Sequence, residues 1–236
     1  MSPDEDMLPD DVDATPQWTR PIRIPEHVQV THTEPEVALA GETSAWRIPF
    51  RLSRKVPPGS DLRVQLWGGR NNRIRFAGVQ TKRPDDAGFI SAETKDGSRL
   101  RLRPADQDGA FVVPLPPGGL QAGELLTVLL GDQASGGGVK ACDDRVLNKL
   151  FVLYLDWGHS KVRRWTDGSV WNELTRRSIV AASTMHILGG PARSIRAYAP
   201  SQVRPGEAFS VLVRPEDAFG NLSHQCPAMV SVSADG

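Results

Sequence analysis

The sequence predicts an all-β protein: a large β-sandwich followed by an incomplete immunoglobulin-like β-sandwich. Three observations lead there. Apolar and polar residues alternate over short runs bounded by glycine and proline. No long stretch repeats its apolar residues at the helical period. Residues 191–236 read as the opening strands of a sandwich, yet closing such a fold takes about seven strands and roughly 100 residues.

The chain begins with six acids (Asp4, Glu5, Asp6, Asp10, Asp11, Asp13) and no base before Pro16. So little apolar surface cannot offset the entropy of ordering, so residues 1–17 are expected to be a disordered acidic tail. The main sandwich is expected over residues 18–190. Its clearest strand is Trp46–Leu52, where Trp46, Ile48, Phe50 and Leu52 share one face and Arg47, Pro49 and Arg51 the other. Pro49 cannot donate a ladder hydrogen bond, which predicts an edge strand or a bulge. Leu62, Val64 and Leu66 alternate with Arg63 and Gln65. Ile74, Phe76 and Gly78 alternate with Arg73 and Arg75, and Leu100 and Leu102 with Arg99, Arg101 and Arg103. Phe111–Leu115 and Leu125–Leu130 are apolar runs between turn signals. Lys149–Leu155 is the most apolar segment and reads as a central strand. Asp156–Arg177 carries three of the six tryptophans and no periodicity, and reads as a long connection folded over the sandwich.

The final module, residues 191–236, offers three strands: Ser194–Tyr198, Ala208–Arg214 and Met229–Ser233. Three strands leave one apolar face uncovered. The chain is therefore expected to be the front piece of something longer, or to borrow a surface from a partner. A weak internal repeat links the two modules. Pro35, Gly41 and Glu42 recur as Pro200, Gly206 and Glu207 at a constant offset of 165, and Trp46 and Ile48 fall on Val211 and Val213.

Lysine plus arginine equals aspartate plus glutamate, which argues against bulk electrostatic binding to nucleic acid or an anionic membrane. No apolar window is long enough to span a bilayer, and the acidic N-terminus has no signal-peptide core. The two cysteines, Cys142 and Cys226, fall in different modules, so a disulfide is not expected. Together these point to a cytoplasmic location.

From about Gly123 onward the chain resembles a family of large, mostly bacterial proteins of unassigned function. The matching residues are Gly123-Glu124, Gly131-Asp132, the Ser135-Gly136-Gly137-Gly138 loop and Pro191-Ala192-Arg193. Pro205-Gly206-Glu207-Ala208-Phe209, Asp217-Ala218-Phe219-Gly220-Asn221 and Gln225-Cys226 complete the set. Phe219 stands where the family looks more like tryptophan. The resemblance implies an N-terminal β-sandwich region followed by a metal-dependent hydrolase-like domain of the PHP (polymerase and histidinol phosphatase) type. The histidine and carboxylate cluster of that domain would lie beyond Gly236.

No cofactor and no metal site is expected within these residues. The five histidines form no His-x-His or His-x3-His pair, so Asp156-Trp157-Gly158-His159 is the best local metal candidate. A polar turn leaving a strand explains it as well. Cys142 stands beside Asp143 and Asp144, and like charges disfavour its thiolate. Asp106-Gln107-Asp108-Gly109 opens like a calcium loop, but no glutamate closes it. Arg99, Arg101 and Arg103 could form a basic stripe, though no aromatic platform interleaves them. Trp157, Trp165 and Trp171 are candidate ligand-binding residues, able to stack on sugar rings; core packing is the alternative. No Gly-x-Ser-x-Gly elbow is present. The expected role is a non-catalytic N-terminal region that supports or positions a downstream hydrolase-like domain. A carbohydrate- or ligand-binding sandwich is the alternative.

Overall fold

The computed structural model describes residues 24–66, 75–106, 109–131, 137–156 and 177–226. It is all-β. The elements are β1 (Val30–Leu39), β2 (Thr43–Ser44), β3 (Trp46–Arg51), β4 (Asp61–Gln65), β5 (Ile90–Glu93), β6 (Arg99–Arg101), β7 (Arg103–Pro104) and β8 (Ala110–Val113). They continue as β9 (Leu125–Leu130), β10 (Val139–Lys140), β11 (Val146–Asp156), β12 (Arg177–Pro191), β13 (Ser194–Tyr198), β14 (Leu212–Glu216) and β15 (Ser223–Gln225). The sequence-predicted strand Met229–Ser233 and the tail 1–17 lie outside the described residues.

One large sheet runs β6-β5-β9-β3-β1-β12-β11-β4-β8-β7 and nearly closes on itself. It folds at two corners. At one, β1 pairs in parallel with β12 and also meets β3 through Glu34 opposite Arg47, its register shifting between His32 and Val37. At the other, only Leu102 separates β6 from β7, and it is 1% exposed. The chain thus steps from one half of the sheet to the other through a single buried leucine.

The inward faces of both halves form one core. Trp46, Ile48 and Phe50 from β3 meet Leu62 and Val64 from β4, Leu126, Val128 and Leu130 from β9, and Phe151, Leu153 and Leu155 from β11. Alternation decides which residues point inward. Each fully buried side chain of this size contributes roughly 1.5–3 kcal/mol. Aromatic rings concentrate at one end, where Trp46 and Phe76 lie 5.6 Å apart and Phe76 and Phe151 6.1 Å apart.

Several expectations are corrected. β3 is an interior strand between β9 and β1, not an edge. Pro49 is accommodated because β1 meets β3 only at Glu34–Arg47; at Pro49 the neighbour is the Thr31 hydroxyl, which donates to the proline carbonyl and asks for no N–H. Around Phe76 the described residues show only an isolated bridge, Ala77 to Lys140, in place of a strand. The strand read at Ala208–Arg214 lies instead at Leu212–Glu216. Ser194–Tyr198 forms β13 as read, and Lys149–Leu155 lies inside β11, between β12 and β4.

β13 and β14 form a separate antiparallel pair, with Ile195 opposite Pro215 and Ala197 opposite Val213. Alternation puts Ile195, Ala197, Val213 and Pro215 on one face and Ser194, Arg196, Tyr198, Leu212, Arg214 and Glu216 on the other. On the polar face the Glu216 carboxylate is held by Arg196 at 2.8 Å and Arg214 at 3.3 Å. β15 joins the large sheet alongside β12.

Candidate functional site

The best-organised polar cluster is the junction between the large sheet and the β13–β14 pair. It is built by the loop Asp217–Asn221, between β14 and β15. The Asp217 carboxylate accepts four hydrogen bonds. One oxygen takes the N–H groups of Phe219 and Asn221, both at 2.9 Å. The other takes the Gly190 N–H at 2.8 Å and the Asn221 side-chain amide at 3.0 Å. Burial alone would raise the pKa of this carboxyl. The bonds from Asn221, Gly190 and Phe219 outweigh it and hold the group below the usual carboxylate range. Asparagine and aspartate suit such a loop because their short side chains bond the backbone a few residues on. Gly220, at φ 81°, supplies the left-handed turn.

The loop then reaches the main body. Asn221 donates to the Asp143 carbonyl at 2.7 Å and accepts the Arg145 N–H at 2.9 Å. The Phe219 ring lies under the Lys140 ammonium, 5.3 Å from its centroid, and against Gly41. A Cβ at Gly41 would stand 2.5 Å from that ring. Lys140 is itself paired with Asp143 at 2.8 Å. Close backbone approach completes the joint: a Cβ on Gly189 would fall 2.1 Å from the Leu222 carbonyl oxygen. The Asp-x-Phe-Gly-Asn motif is therefore a clip between modules. All its carboxylate capacity is spent on hydrogen bonds.

The sequence-predicted candidates fare differently. Trp157, Trp165, Trp171 and His159 lie outside the described residues. Asp156 ends β11 beside Arg63, whose guanidinium makes two bonds to Asp61 (2.7 and 3.1 Å) and also meets Asp106 at 2.6 Å and Asp156 at 3.3 Å. The Asp61 bond, opposed in part by burial, raises the Arg63 pKa above its ordinary value. The aspartate proposed as a metal ligand thus neutralises an arginine. Among the described residues no group of three or more histidines, cysteines or carboxylates is placed to hold a metal.

Cys142 is buried and its thiol donates to the Asp144 carbonyl at 3.3 Å. Its pKa is raised, as the sequence suggests, but chiefly through burial; the neighbouring acids are lesser causes. The arginine stripe is split. Arg99 and Arg101 are on β6, Arg103 on β7, at opposite edges of the sheet. Arg101 binds the carbonyls of Thr81 and Lys82, and Arg99 lies 3.7 Å from Glu93.

One residue escaped sequence reading. Lys149 is 4% exposed, with its ammonium 5.3 Å from the Phe76 ring and 5.5 Å from the Phe151 ring. Burial pushes its pKa down to about 8. The signal was there: Lys149 shares the parity of Phe151, Leu153 and Leu155, which is the core face. A shallow cavity of about 220 Å³ lies nearby, lined by Arg75, Ala77 and the stretch Lys140–Asp144. It mixes both charge signs and presents no converging catalytic set.

The geometry defines an all-β protein with a second β-module clipped to a nearly closed sheet. No family model matches the chain, and no solved structure matches it. It is 27% identical over 208 residues to uncharacterized proteins of Chlamydia trachomatis and Chlamydia muridarum, and 26% identical over 213 residues to one of Chlamydia pneumoniae. Each match takes in 84% of this chain and 31% of the relative, so the chain spans about a third of the length of the curated relatives it matches. Among the described residues no helix is long and apolar enough to cross a membrane.

Proposed function

We propose that this chain is a non-catalytic β-region that supports and positions a domain following it in a longer protein. The observation that carries the reading is the clip. A four-bonded aspartate and a two-way asparagine fix the β13–β14 pair to the large sheet, while that pair turns an open apolar face outward. A rigid mount with an uncovered face suits a scaffold better than a self-sufficient catalyst. The greater length of the relatives supports the same view. The hydrolase-like character of the supported domain rests on the family resemblance alone.

The test is an assay of the purified chain against phosphate and carboxylic esters with added manganese or zinc. No turnover above the metal alone is expected. Metal-dependent turnover abolished by Asp156→Ala would overturn the reading. A glycan screen followed by tryptophan fluorescence addresses ligand binding; a response lost in Trp165→Ala and Trp171→Ala would replace scaffold by sugar-binding module.

A further inference from the structure

We infer that the β13–β14 pair is a second copy of the β1–β3 unit, and that its open face and free edge receive β-strands from the same polypeptide, as β3 receives β9. This rests on the reading above, that more chain follows.

Three observations support the copy. The turns are the same: the Glu42 N–H donates to the Leu39 carbonyl, and the Glu207 N–H to the Arg204 carbonyl, each at 3.0 Å and 165 residues apart. Each turn carries a glycine in the left-handed region, Gly41 at φ 71° and Gly206 at φ 81°. Both turns join strands that pair antiparallel, β1 with β3 and β13 with β14. The pairing differs by one residue: the offset places Arg47 on Leu212 and Glu34 on Ala199, whereas Leu212 faces Tyr198. β1 carries its register shift at that point.

The first copy shows what the second lacks. Trp46, Ile48 and Phe50 are at most 1% exposed because β9 pairs along β3 and the opposite half of the sheet covers them. Their counterparts are Val211, Val213 and Pro215. Val211 is 39% exposed, and Ile195, which lies opposite Pro215 on the same face, is 45% exposed. From Leu212 to Pro215 the far edge of β14 has no strand beside it among the described residues. An edge of this kind with an apolar face is a template for another strand. The opposite face carries the ion pairs of Glu216 with Arg196 and Arg214, beside the exposed Tyr198 and Leu212. The occupant is thus an antiparallel strand with alternate aliphatic residues, followed by a facing layer.

The experiment compares the 236-residue chain with the same chain prolonged by the next ~100 encoded residues, about the length that closes a sandwich. In a Cys226→Ser background, thiol labelling is followed at Val213→Cys and, separately, at Arg196→Cys on the polar face. Prolongation is expected to slow labelling at position 213 by about tenfold or more and leave position 196 reactive. Amide exchange of Leu212–Pro215 without substitutions at those sites should slow in parallel. Unchanged labelling and exchange in a folded, prolonged chain would overturn the inference while leaving the scaffold reading standing. A stop codon directly after Gly236 would instead remove the scaffold reading.

Discussion

The side chain of Asn221 grips the backbone around Asp143 in both directions, giving a hydrogen bond to the Asp143 carbonyl and taking one from the N–H two residues later. Among the described residues nothing else of comparable directionality ties the final module to the Cys142–Arg145 loop. Asn221→Ala should cost about 1–3 kcal/mol, because two polar partners lose their bonds. Amide exchange should quicken across residues 191–226 and stay slow in β11. Equal protection of the two regions in the variant would show that the clip is not what holds the module.

Acid should loosen the same joint. Asp217 is held below the ordinary carboxylate pKa, so its contribution to stability is complete above that ordinary value, near 4, and is lost as pH falls through the folded value. The stability gap between the natural chain and Asp217→Asn, measured by urea unfolding, should be constant from neutrality down to about pH 5 and shrink below pH 4. A gap independent of acid would mean the carboxylate charge is irrelevant.

Lys149 has the opposite sign. Its folded pKa of about 8 lies below the unfolded value near 10.4, so the unfolded state binds more protons between the two. Below pH 8 the full penalty for charging a buried amine is present; stability rises from there towards about pH 10 and then levels. Lys149→Met, close in volume, should stabilise the chain at pH 7 by roughly 1–3 kcal/mol, with the advantage fading as pH rises to 10. Destabilisation by the methionine at every pH would mark the ammonium as a needed hydrogen-bond donor.

The two glycines of the repeat should separate when substituted. Both sit at positive φ, so alanine at either costs about 1–2 kcal/mol in backbone strain. Around Gly206 there is open space, whereas at Gly41 the new methyl would strike Phe219 at 2.5 Å. Gly41→Ala should therefore be the more damaging, and Phe219→Ala should relieve the excess in a double-mutant cycle. Equal losses at the two positions, by thermal or urea unfolding, would contradict the contact.

Much of this architecture was legible where apolar and polar residues alternate along a strand. Trp46–Arg51 and Ser194–Tyr198 alternate cleanly, and both form the strands expected of them. β12 was not legible. It has neighbours on both edges, and its central residues Val180 to Ser183 are all buried, so no alternation marks it. β1 failed for the converse reason: at the corner it serves two halves of the sheet, and most of its residues are exposed. The clip could be seen only as a motif. Its meaning lies in contacts between residues about 75 positions apart, such as Asn221 with Arg145, which no local pattern encodes.

The pairing of β1 with β12, Val30 beside Ala182 through Leu39 beside Leu188, joins segments about 150 residues apart. A growing chain therefore cannot close its main sheet until Leu188 has left the ribosome, and everything made earlier must wait with apolar strands unsatisfied. Nascent chains arrested before that point should need chaperone shelter, and those released beyond it should fold in one late, cooperative event.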